Sequence, residues 1–595
     1  MNSFNKITTR WDLSKLFKSD EDPKIAVEKE KILEESYKFI NKWKDRTDYL
    51  QDPVVLREAL DEYEGWLKHF GTGGLQGYYF RLRSSLDQTN PKLKAEVNKL
   101  SDFSIKIAND IQFFGIRISK IPTDKQKKFL ENPLLKDYRH YLKGSFDEAK
   151  YILSEPEEKI MNLKEKTSLS NWIRMVSEFI SKEEAVVLTD NLTKEKKTFE
   201  EMLSLTSSKN EKVRESAAKQ LEKIFKKHLD VSENEINTVC ENLKVNCDLR
   251  GYTRPDQPRH LYDDIESVVV DSLLNSVTKR FDISIRYYKL KAKLLGVKRL
   301  RYFERNIELG EITKKYSFED SVNLIYKTFK NLDPKFSDIL KDFIENGHFD
   351  VFPEKGKSGG AYCICAGNLS PTYVLLNHAD KLRDVLTIAH EMGHGINDEL
   401  MKGVQNEINF GTPTSTAEVA STFMEDFVFQ TLLKEANKEE KITLLMSKLE
   451  GDISSIFRQV AFYNFELELH KTFKEKGYIP KEEIGKIFEK HIISYMGEVG
   501  RGSNNWWIYV SHFRHFFYVY SYAGGLLISK SLQSSVKKDP KFIENVKEFL
   551  SAGMSDSPKN IFKKMGVDIS DKKFWDKGLN EVEALLNETE KTYLK

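Results

Sequence analysis

The chain has 595 residues, of which 39% are hydrophobic and 31% are charged, a balance typical of a globular protein long enough for two or more helical lobes. Because 94 basic side chains are matched by 92 acidic ones, the formal net charge is only +2, which argues against a nucleic-acid-binding protein. The 4 cysteines are too few to staple this length, no apolar run approaches about eighteen residues, and no signal peptide begins the sequence. We therefore expect a cytoplasmic protein that does not enter membranes.

The first third of the chain, residues 24–205, has the pattern of long amphipathic helices. Ile32, Tyr37 and Ile40 recur at three- to four-residue steps, with Lys and Glu between them. We predict an N-terminal helical lobe over residues 1–195.

A small hairpin is predicted where this lobe ends. Between Val186 and Phe199, short β-branched runs flank a polar Thr-Asp-Asn-Leu-Thr-Lys segment. Helical patterns resume after Ser207, and only 15 prolines are available to interrupt them. We place the boundary at this hairpin, so that residues 196–595 form the predicted catalytic domain.

The composition changes once more, between Asn346 and Asn377, where Gly356, Gly359, Gly360 and Gly367 surround two short apolar runs. The runs, Tyr362 to Ala366 and Tyr373 to Leu376, predict strands. No internal repeat is found, which argues against a solenoid. The sequence thus predicts a mainly α fold with one small β-sheet in its second half.

The residues that carry the chemistry begin with a His-Glu-Met-Gly-His motif inside a segment of helical apolar spacing. Since residues four apart lie one turn from each other, His390 and His394 project from one face, with Glu391 beside them. Two imidazoles at this spacing suit a tetrahedral zinc, and the carboxylate can take a proton from zinc-bound water. Gly393 and Gly395 each cost about 1 kcal/mol relative to alanine in a helix, unless something packs closely there.

A catalytic zinc also needs a third protein ligand and an open position for water. Downstream, a second helical segment places Glu418 in its first turn. Glu418 could bind the metal, or it could form a capping box with Ser415. Glu425 and Asp426 are rival ligands on the same segment, and the residues alone leave these alternatives open.

These residues resemble the oligoendopeptidase F branch of the thimet-oligopeptidase-like metallopeptidases, because Glu418 stands in A-E-V-A-S-T, 24 residues after the second histidine. The resemblance covers nearly the whole chain and includes Arg10-Trp11-Asp12-Leu13, Leu153-Ser154 with Glu157-Glu158, Val213-Arg214, Gly360-Ala361-Tyr362-Cys363 and Tyr518 to Tyr522. It implies a multi-lobed, helical zincin-type peptidase with a deep cleft and a small β-sheet beside the active site. It also implies Glu418 as the third ligand and one Zn²⁺ per chain. Ser511 and Gly395 depart from the residues usual in this branch.

The implied function is zinc-dependent endopeptidase cleavage of short, unstructured peptides. Two neutral imidazoles and one carboxylate leave Zn²⁺ with one net positive charge, which lowers the pKa of its water toward about 7. Glu391 is the expected general base, which later passes the proton to the leaving amine. The substrate is expected to lie extended along an edge strand and to pair with its main chain. The predicted substrate-binding residues are Gly359, Gly360, Ala361 and Tyr362.

Donors to the oxyanion are expected near the end of the chain. Tyr518 and Tyr522 are four apart, which predicts one helical face, and each carries a hydroxyl that an ordinary core position would not need. In the resembling family a histidine and tyrosines from this region face the zinc, which implies catalytic roles for His512, Tyr518 and Tyr522. Tyr520 and His515 are weaker candidates.

Two other functions are compatible with the same motif. A peptidyl-dipeptidase or carboxypeptidase of this zinc class would need a cation for the substrate's free carboxylate, for which Arg501 and Arg514 are candidates. A non-catalytic helical binding protein would have no use for Glu391. Cys363 and Cys365, two apart on a predicted strand, are expected to be packed rather than reactive.

Overall fold

A computed structural model describes residues 3–310 and 314–593 and confirms the mainly α fold with small sheets. The chain forms two compact units, each assembled from three separate stretches. Unit 1 contains residues 1–150, 313–434 and 535–567, and unit 2 contains residues 151–312, 435–534 and 568–595. The predicted boundary between residues 195 and 196 falls within unit 2 and stays a prediction, because units built from discontinuous stretches are not separated by one cut.

The helices account for most of the described chain. The first thirteen are α1 Lys24–Trp43, α2 Pro53–His69, α3 Gly74–Leu86, α4 Pro91–Ile111, α5 Phe113–Ser119, α6 Thr123–Leu130, α7 Arg139–Ala149, α8 Glu155–Glu165, α9 Asn171–Ser181, α10 Phe199–Leu205, α11 Glu211–Arg250, α12 Gln257–Tyr262 and α13 Ser267–Thr278. They are followed by α14 Phe281–Leu294, α15 Phe318–Leu332, α16 Pro334–Glu345, α17 Leu382–Met401, α18 Ala417–Glu435, α19 Lys438–Asp452, α20 Gln459–Lys476, α21 Lys481–Met496, α22 Tyr520–Lys538, α23 Ile543–Ser551, α24 Pro558–Lys564 and α25 Lys572–Tyr593. None of the described helices is both long and apolar enough to cross a membrane.

Both predicted sets of strands are present. In unit 2, β1 Glu184–Leu188 and β2 Lys194–Thr198 form the antiparallel hairpin. In unit 1, β3 Phe349–Asp350, β4 Tyr362–Ile364 and β5 Tyr373–Leu375 form a three-stranded sheet in the order β3-β5-β4. β5 runs parallel to β3 and antiparallel to β4, with Cys363 opposite Val374. β4 is therefore an edge strand, as the substrate prediction requires.

The sheet is fixed from one side by the N-terminal segment and from the other by α17. The indole Nε1 of Trp11 donates to the carbonyl oxygen of Val374 at 2.9 Å, and the hydroxyl of Tyr373 donates to the carbonyl oxygen of Asp12 at 2.7 Å. Trp11 and Tyr373 are both buried. β4 and β5 pack on α17, the helix that carries the His-Glu-Met-Gly-His motif. The Arg10–Leu13 segment thus supports the sheet beside the candidate site.

Candidate metal centre

The site is built where α17 meets α18 within unit 1. A Cβ added at Gly393 would lie 2.5 Å from the Cα of Ser421 and 2.6 Å from the carbonyl oxygen of Ala420, so the two helix backbones touch at this point. At Gly395, an added Cβ would lie 3.0 Å from the ring of Phe343. Close packing therefore accounts for two glycines in a helix, where each would otherwise cost about 1 kcal/mol.

Because the backbones touch, the first turn of α18 delivers Glu418 to the two histidines of α17. One ligating atom from each of His390, His394 and Glu418 lies within 4.8 Å of the other two. Oε2 of Glu418 is 3.3 Å from Nε2 of His390 and 3.7 Å from Nε2 of His394. Two imidazole nitrogens and one carboxylate oxygen at this spacing fit a tetrahedral zinc that keeps its fourth position for water. Within residues 3–310 and 314–593, no other group of metal-ligand side chains meets that spacing.

Glu425 lies behind His390 rather than within the group. Its Oε2 is 3.1 Å from Nδ1 of His390, so the two ring nitrogens of that histidine contact two different carboxylates. A carboxylate behind a ligating histidine fixes the orientation of the ring and raises its basicity. Glu418 itself accepts a hydrogen bond from the hydroxyl of Ser421 at 2.8 Å. The sequence indicates Glu425 only as a rival ligand, although its seven-residue spacing from Glu418 places both on one helix face.

The charges around His390, His394 and Glu418 favour the binding of a cation. Burial lowers the pKa of His390, but its hydrogen bonds with Glu418 and Glu425 outweigh burial and raise that pKa to about 10. Burial raises the pKa of Glu418, whereas His390 and His394 bring it down to about 2. Burial also lowers the pKa of His394 to about 4, which leaves its imidazole neutral and able to bind a metal. A place that holds a proton between two carboxylates also suits a divalent cation.

Glu391 is buried next to this group. Burial raises the pKa of its carboxyl to about 7, against the opposing charge of His390. The carboxylate also accepts a hydrogen bond from the backbone of Cys363, which connects α17 to β4. A group whose pKa lies close to neutral pH can both accept and release a proton, as a general base and acid must.

A cavity of about 700 Å³ adjoins the group, within unit 1. Ala361 and Tyr362, from the predicted substrate strand, line it. Gly359 and Gly360 precede β4 and are exposed, and they are not among its lining residues. The carbonyl oxygen of Gly360 already accepts from the side-chain amide of Asn377 at 2.7 Å. The structure thus brings only part of the predicted substrate segment to the cavity.

His512, Tyr518 and Tyr522 lie together in unit 2. Nδ1 of His512 is 2.5 Å from the hydroxyl of Tyr518, and the ring centres of Tyr518 and Tyr522 are 5.7 Å apart. Burial, and after it the charge of Arg458, lowers the pKa of His512 to about 4, so its ring is neutral at physiological pH. Burial and a hydrogen bond with Tyr522 raise the pKa of Tyr518.

The prediction that Tyr518 and Tyr522 share one helical face is wrong. α22 begins at Tyr520, and Tyr518 lies in the turn before it. Phe516 and Phe517 have φ angles of 46° and 57°, a left-handed conformation that no α-helix of L-residues continues through. The aromatic segment is therefore a turn followed by a helix.

Glu466 holds this turn, a role that the sequence pattern did not predict. Its side chain is fully buried on α20, and its Oε1 accepts from the backbone N–H of Phe517 at 3.1 Å. A glutamate amid apolar residues of a predicted helix was the available signal. Tyr520 is also buried and donates to Asp263 at 2.7 Å, which indicates a structural role. His515, the other weaker candidate, is exposed, with its ring centre 6.2 Å from that of Tyr518.

The candidate cations for a substrate carboxylate are already engaged. Arg514 is buried and donates to both carboxylate oxygens of Glu235, at 3.0 and 2.6 Å. Arg501 pairs with Glu498 at 2.7 Å on the surface. Burial raises the pKa of the Cys363 thiol and, likewise, that of Cys365, as expected of packed cysteines.

Comparison with known proteins finds two matching family models, related sequences and solved structures of the same fold. The sequence matches the model of Peptidase family M3 over residues 204–581 and that of Oligopeptidase F over residues 117–182. It is 24% identical to an oligoendopeptidase F homolog of Borreliella burgdorferi over 98% of both chains, and 25% identical to oligopeptidase PepF of Bacillus subtilis over 98% of this chain and 88% of the other. A crystal structure of a Chlamydophila abortus protein, 22% identical, superposes with a TM-score of 0.84 over 98% of both chains. Oligoendopeptidase-F from Enterococcus faecium, 20% identical, gives a TM-score of 0.69 over 95% of this chain and 98% of the other.

Proposed function

Because the chain belongs to peptidase family M3, we propose that it is a zinc-dependent endopeptidase that hydrolyses short, unstructured peptides. Peptide hydrolysis follows from the family. The metal is supported by one observation above all, the convergence of His390, His394 and Glu418 within 4.8 Å, with Glu391 next to them. The endopeptidase mode is supported by Arg501 and Arg514, the candidate cations for a substrate carboxylate, which are both paired with glutamates.

In this proposal the three converging side chains hold one Zn²⁺, which when bound supplies a Lewis acid that polarises the scissile carbonyl and acidifies a water. Glu391 accepts the proton of the attacking water on its carboxylate and then delivers it to the nitrogen of the leaving amine. Burial raises the pKa of this carboxyl above its ordinary value, which favours its taking up the proton. Glu425 contacts Nδ1 of His390 and so keeps Nε2 of that ring directed at Glu418.

We propose that Tyr518 and Tyr522 of unit 2 donate hydrogen bonds to the oxyanion that forms at the scissile carbonyl. Tyr518 and Tyr522 are both half-buried, so their hydroxyls can reach a ligand. With the His512 proton on Nδ1, the imidazole donates to the oxygen of Tyr518, and the O–H of Tyr518, which otherwise bonds with Tyr522, can turn to the substrate. His512 then acts by orienting Tyr518. Preorganised hydroxyl donors of this kind are effective because they need no rearrangement as negative charge develops.

For the substrate we propose an extended peptide paired with the free edge of β4. Ala361 and Tyr362 border the cavity beside the metal centre, and an edge strand binds main chain without reading side chains. The exposed Gly359 and Gly360 would contact the peptide farther from the scissile bond. A peptide-bound structure without main-chain hydrogen bonds to this segment would contradict the proposal.

Digestion of a mixed peptide library, with mass-spectrometric mapping of the cleaved bonds, tests the function. We expect internal cleavage that is lost with a chelator, restored by zinc, and accompanied by one zinc per chain. A matched pair of peptides with a free and an amidated C-terminus separates the alternatives. Comparable cleavage of both supports an endopeptidase, whereas removal of C-terminal dipeptides or single residues from the free acid alone would overturn it.

A further inference from the structure

The cavity beside the metal centre has a strongly acidic lining. Four carboxyl groups face it, and none of its lining residues within the described part of the chain is Lys or Arg. Glu391 and Glu418 belong to the chemistry proposed above. Asp398 and Glu407 have no part in that chemistry, so their presence needs another explanation.

Asp398 lies one turn beyond His394 on α17, half-buried at the wall of the cavity within unit 1. Its carboxylate makes no hydrogen bond or ion pair with any residue that the structure describes, and burial raises its pKa to about 7. The nearest cation, Lys402, is held at 2.6 Å by Glu399 and at 3.0 Å by Thr372. A half-buried carboxylate without a partner is less well stabilised than a paired one, and a cationic ligand in the cavity would supply the opposite charge.

Glu407 is held in place at the same cavity. Its Oε2 accepts from the backbone N–H and from the side-chain amide of Asn368, both at 3.2 Å. A Cβ at position 367 would collide with Oε1 of Glu407, so Gly367 makes room for the carboxylate. Oε1 has no hydrogen-bond partner among the described residues. The carboxylate is thus fixed through one oxygen and has the other free to bind.

The cavity wall also includes an apolar surface. Ile364, Ala366 and Phe410 line it together with the two carboxylates. Lysine and arginine bury their methylene stems against apolar surface while the charged end seeks a polar partner. An aromatic ring adds attraction for a cation near its face. The cavity therefore combines the features that a long basic side chain requires.

We propose that this cavity is a substrate subsite for a cationic group of the peptide, a Lys or Arg side chain, with Asp398 and Glu407 as its anionic end. The inference rests on the proposed function, because it requires a peptide bound at the metal centre. The free amino terminus of a peptide offers similar chemistry and is distinguished by the test. The enzyme would then tolerate many sequences along the main chain but favour a basic residue at one fixed distance from the scissile bond.

The test is a set of fluorogenic peptides that place Lys, Arg, norleucine, Gln or Glu at each position in turn. For the zinc-loaded wild-type enzyme we expect one position at which Lys or Arg raises kcat/KM about 10-fold or more over norleucine, with Glu disfavoured. N-acetylation of the same peptides separates the side chain from the amino terminus. If acetylation removes the preference, the cation is the amino terminus and the assignment to Lys or Arg is wrong.

The variants link this preference to the two carboxylates. In Asp398→Asn/Glu407→Gln the ratio of kcat/KM for the Lys and norleucine peptides should fall to within about twofold of unity, and each single variant should lower it at least about threefold. Glu399→Gln is the matched control, since it removes the same charge from the next residue, which binds Lys402 outside the cavity lining. Zinc content is measured for every variant.

The outcomes separate the two proposals. A wild-type enzyme that hydrolyses no peptide would contradict the proposed function. Hydrolysis with no basic preference at any position, or a preference that both single variants retain, would overturn the subsite and leave the function intact. A fall in the ratio for Glu399→Gln as large as for Asp398→Asn would also overturn it, because a general loss of negative charge would then explain the effect.

Discussion

The metal centre of unit 1, formed by His390, His394, Glu418 and Glu391, and the His512 to Tyr522 segment of unit 2 differ in their backbone structure. In the proposed mechanism the first binds zinc and moves the proton, and the second stabilises the oxyanion. The metal centre consists of regular helix. The four-residue spacing of the two histidines and the seven-residue spacing of Glu418 and Glu425 each place two side chains on one helix face. The segment in unit 2 begins in a 3₁₀ turn, passes through two left-handed phenylalanines, and depends on a buried carboxylate from another helix. The placement of a side chain on a regular helix can be predicted from sequence spacing, whereas its placement on irregular backbone depends on contacts that are distant in sequence.

The largest expected effect on kcat comes from a substitution at Glu391, beside the metal centre. Glu391→Gln keeps the shape of the side chain but removes the proton acceptor, so we expect kcat to fall by about 10²- to 10⁴-fold. Zinc content per chain should be unchanged, because Glu391 is outside the ligand group. Turnover within about tenfold of wild type would exclude Glu391 as the general base.

The next largest effect on kcat is expected in the irregular His512 to Tyr522 segment. Tyr522→Phe, and separately Tyr518→Phe, should lower kcat by about 10²- to 10³-fold with little change in KM, the usual result of losing one oxyanion donor. Tyr520→Phe is the control. Its hydroxyl is buried and donates to Asp263, so the loss should appear in the free energy of unfolding rather than in kcat. Equal kcat values for all three variants and the wild type would remove the tyrosines from the mechanism.

The difference between regular and irregular backbone also explains which parts of the site can be predicted from the sequence. His390, His394 and Glu418 come together as the spacing and the family resemblance suggested, because both segments are uninterrupted helix. The helical placement of Tyr518 failed because periodicity carries no sign of a positive φ at a phenylalanine, which is uncommon for any residue but glycine. Asp398 and Glu407 could not be paired from sequence, since the loop after α17 brings Glu407 to the cavity.

Gly393 tests whether backbone contact between α17 and α18 sets the metal geometry. Gly393→Ala would force its Cβ into the backbone of α18, so we expect the free energy of unfolding to fall by about 1–3 kcal/mol and zinc affinity to fall with it. Gly65→Ala is the matched control in α2, where an added Cβ meets nothing within 4 Å. That substitution should stabilise by about 0.5–1 kcal/mol. Equal denaturation midpoints and zinc affinities for the two variants would show that the helices can separate without disturbing the site.

The smallest expected effect concerns the carboxylate behind His390. Glu425→Ala removes the contact at Nδ1 and lets the ring rotate, so we expect zinc affinity to fall by about 10- to 100-fold, with full occupancy recovered at saturating zinc. Glu425→Gln should lose less, because its amide oxygen can still accept from Nδ1–H. Glu418→Ala, by contrast, removes a ligand and should leave little bound zinc even in excess metal. Competition with a chromophoric chelator measures all three. If Glu425→Ala lost more zinc than Glu418→Ala, Glu425 would be the third ligand.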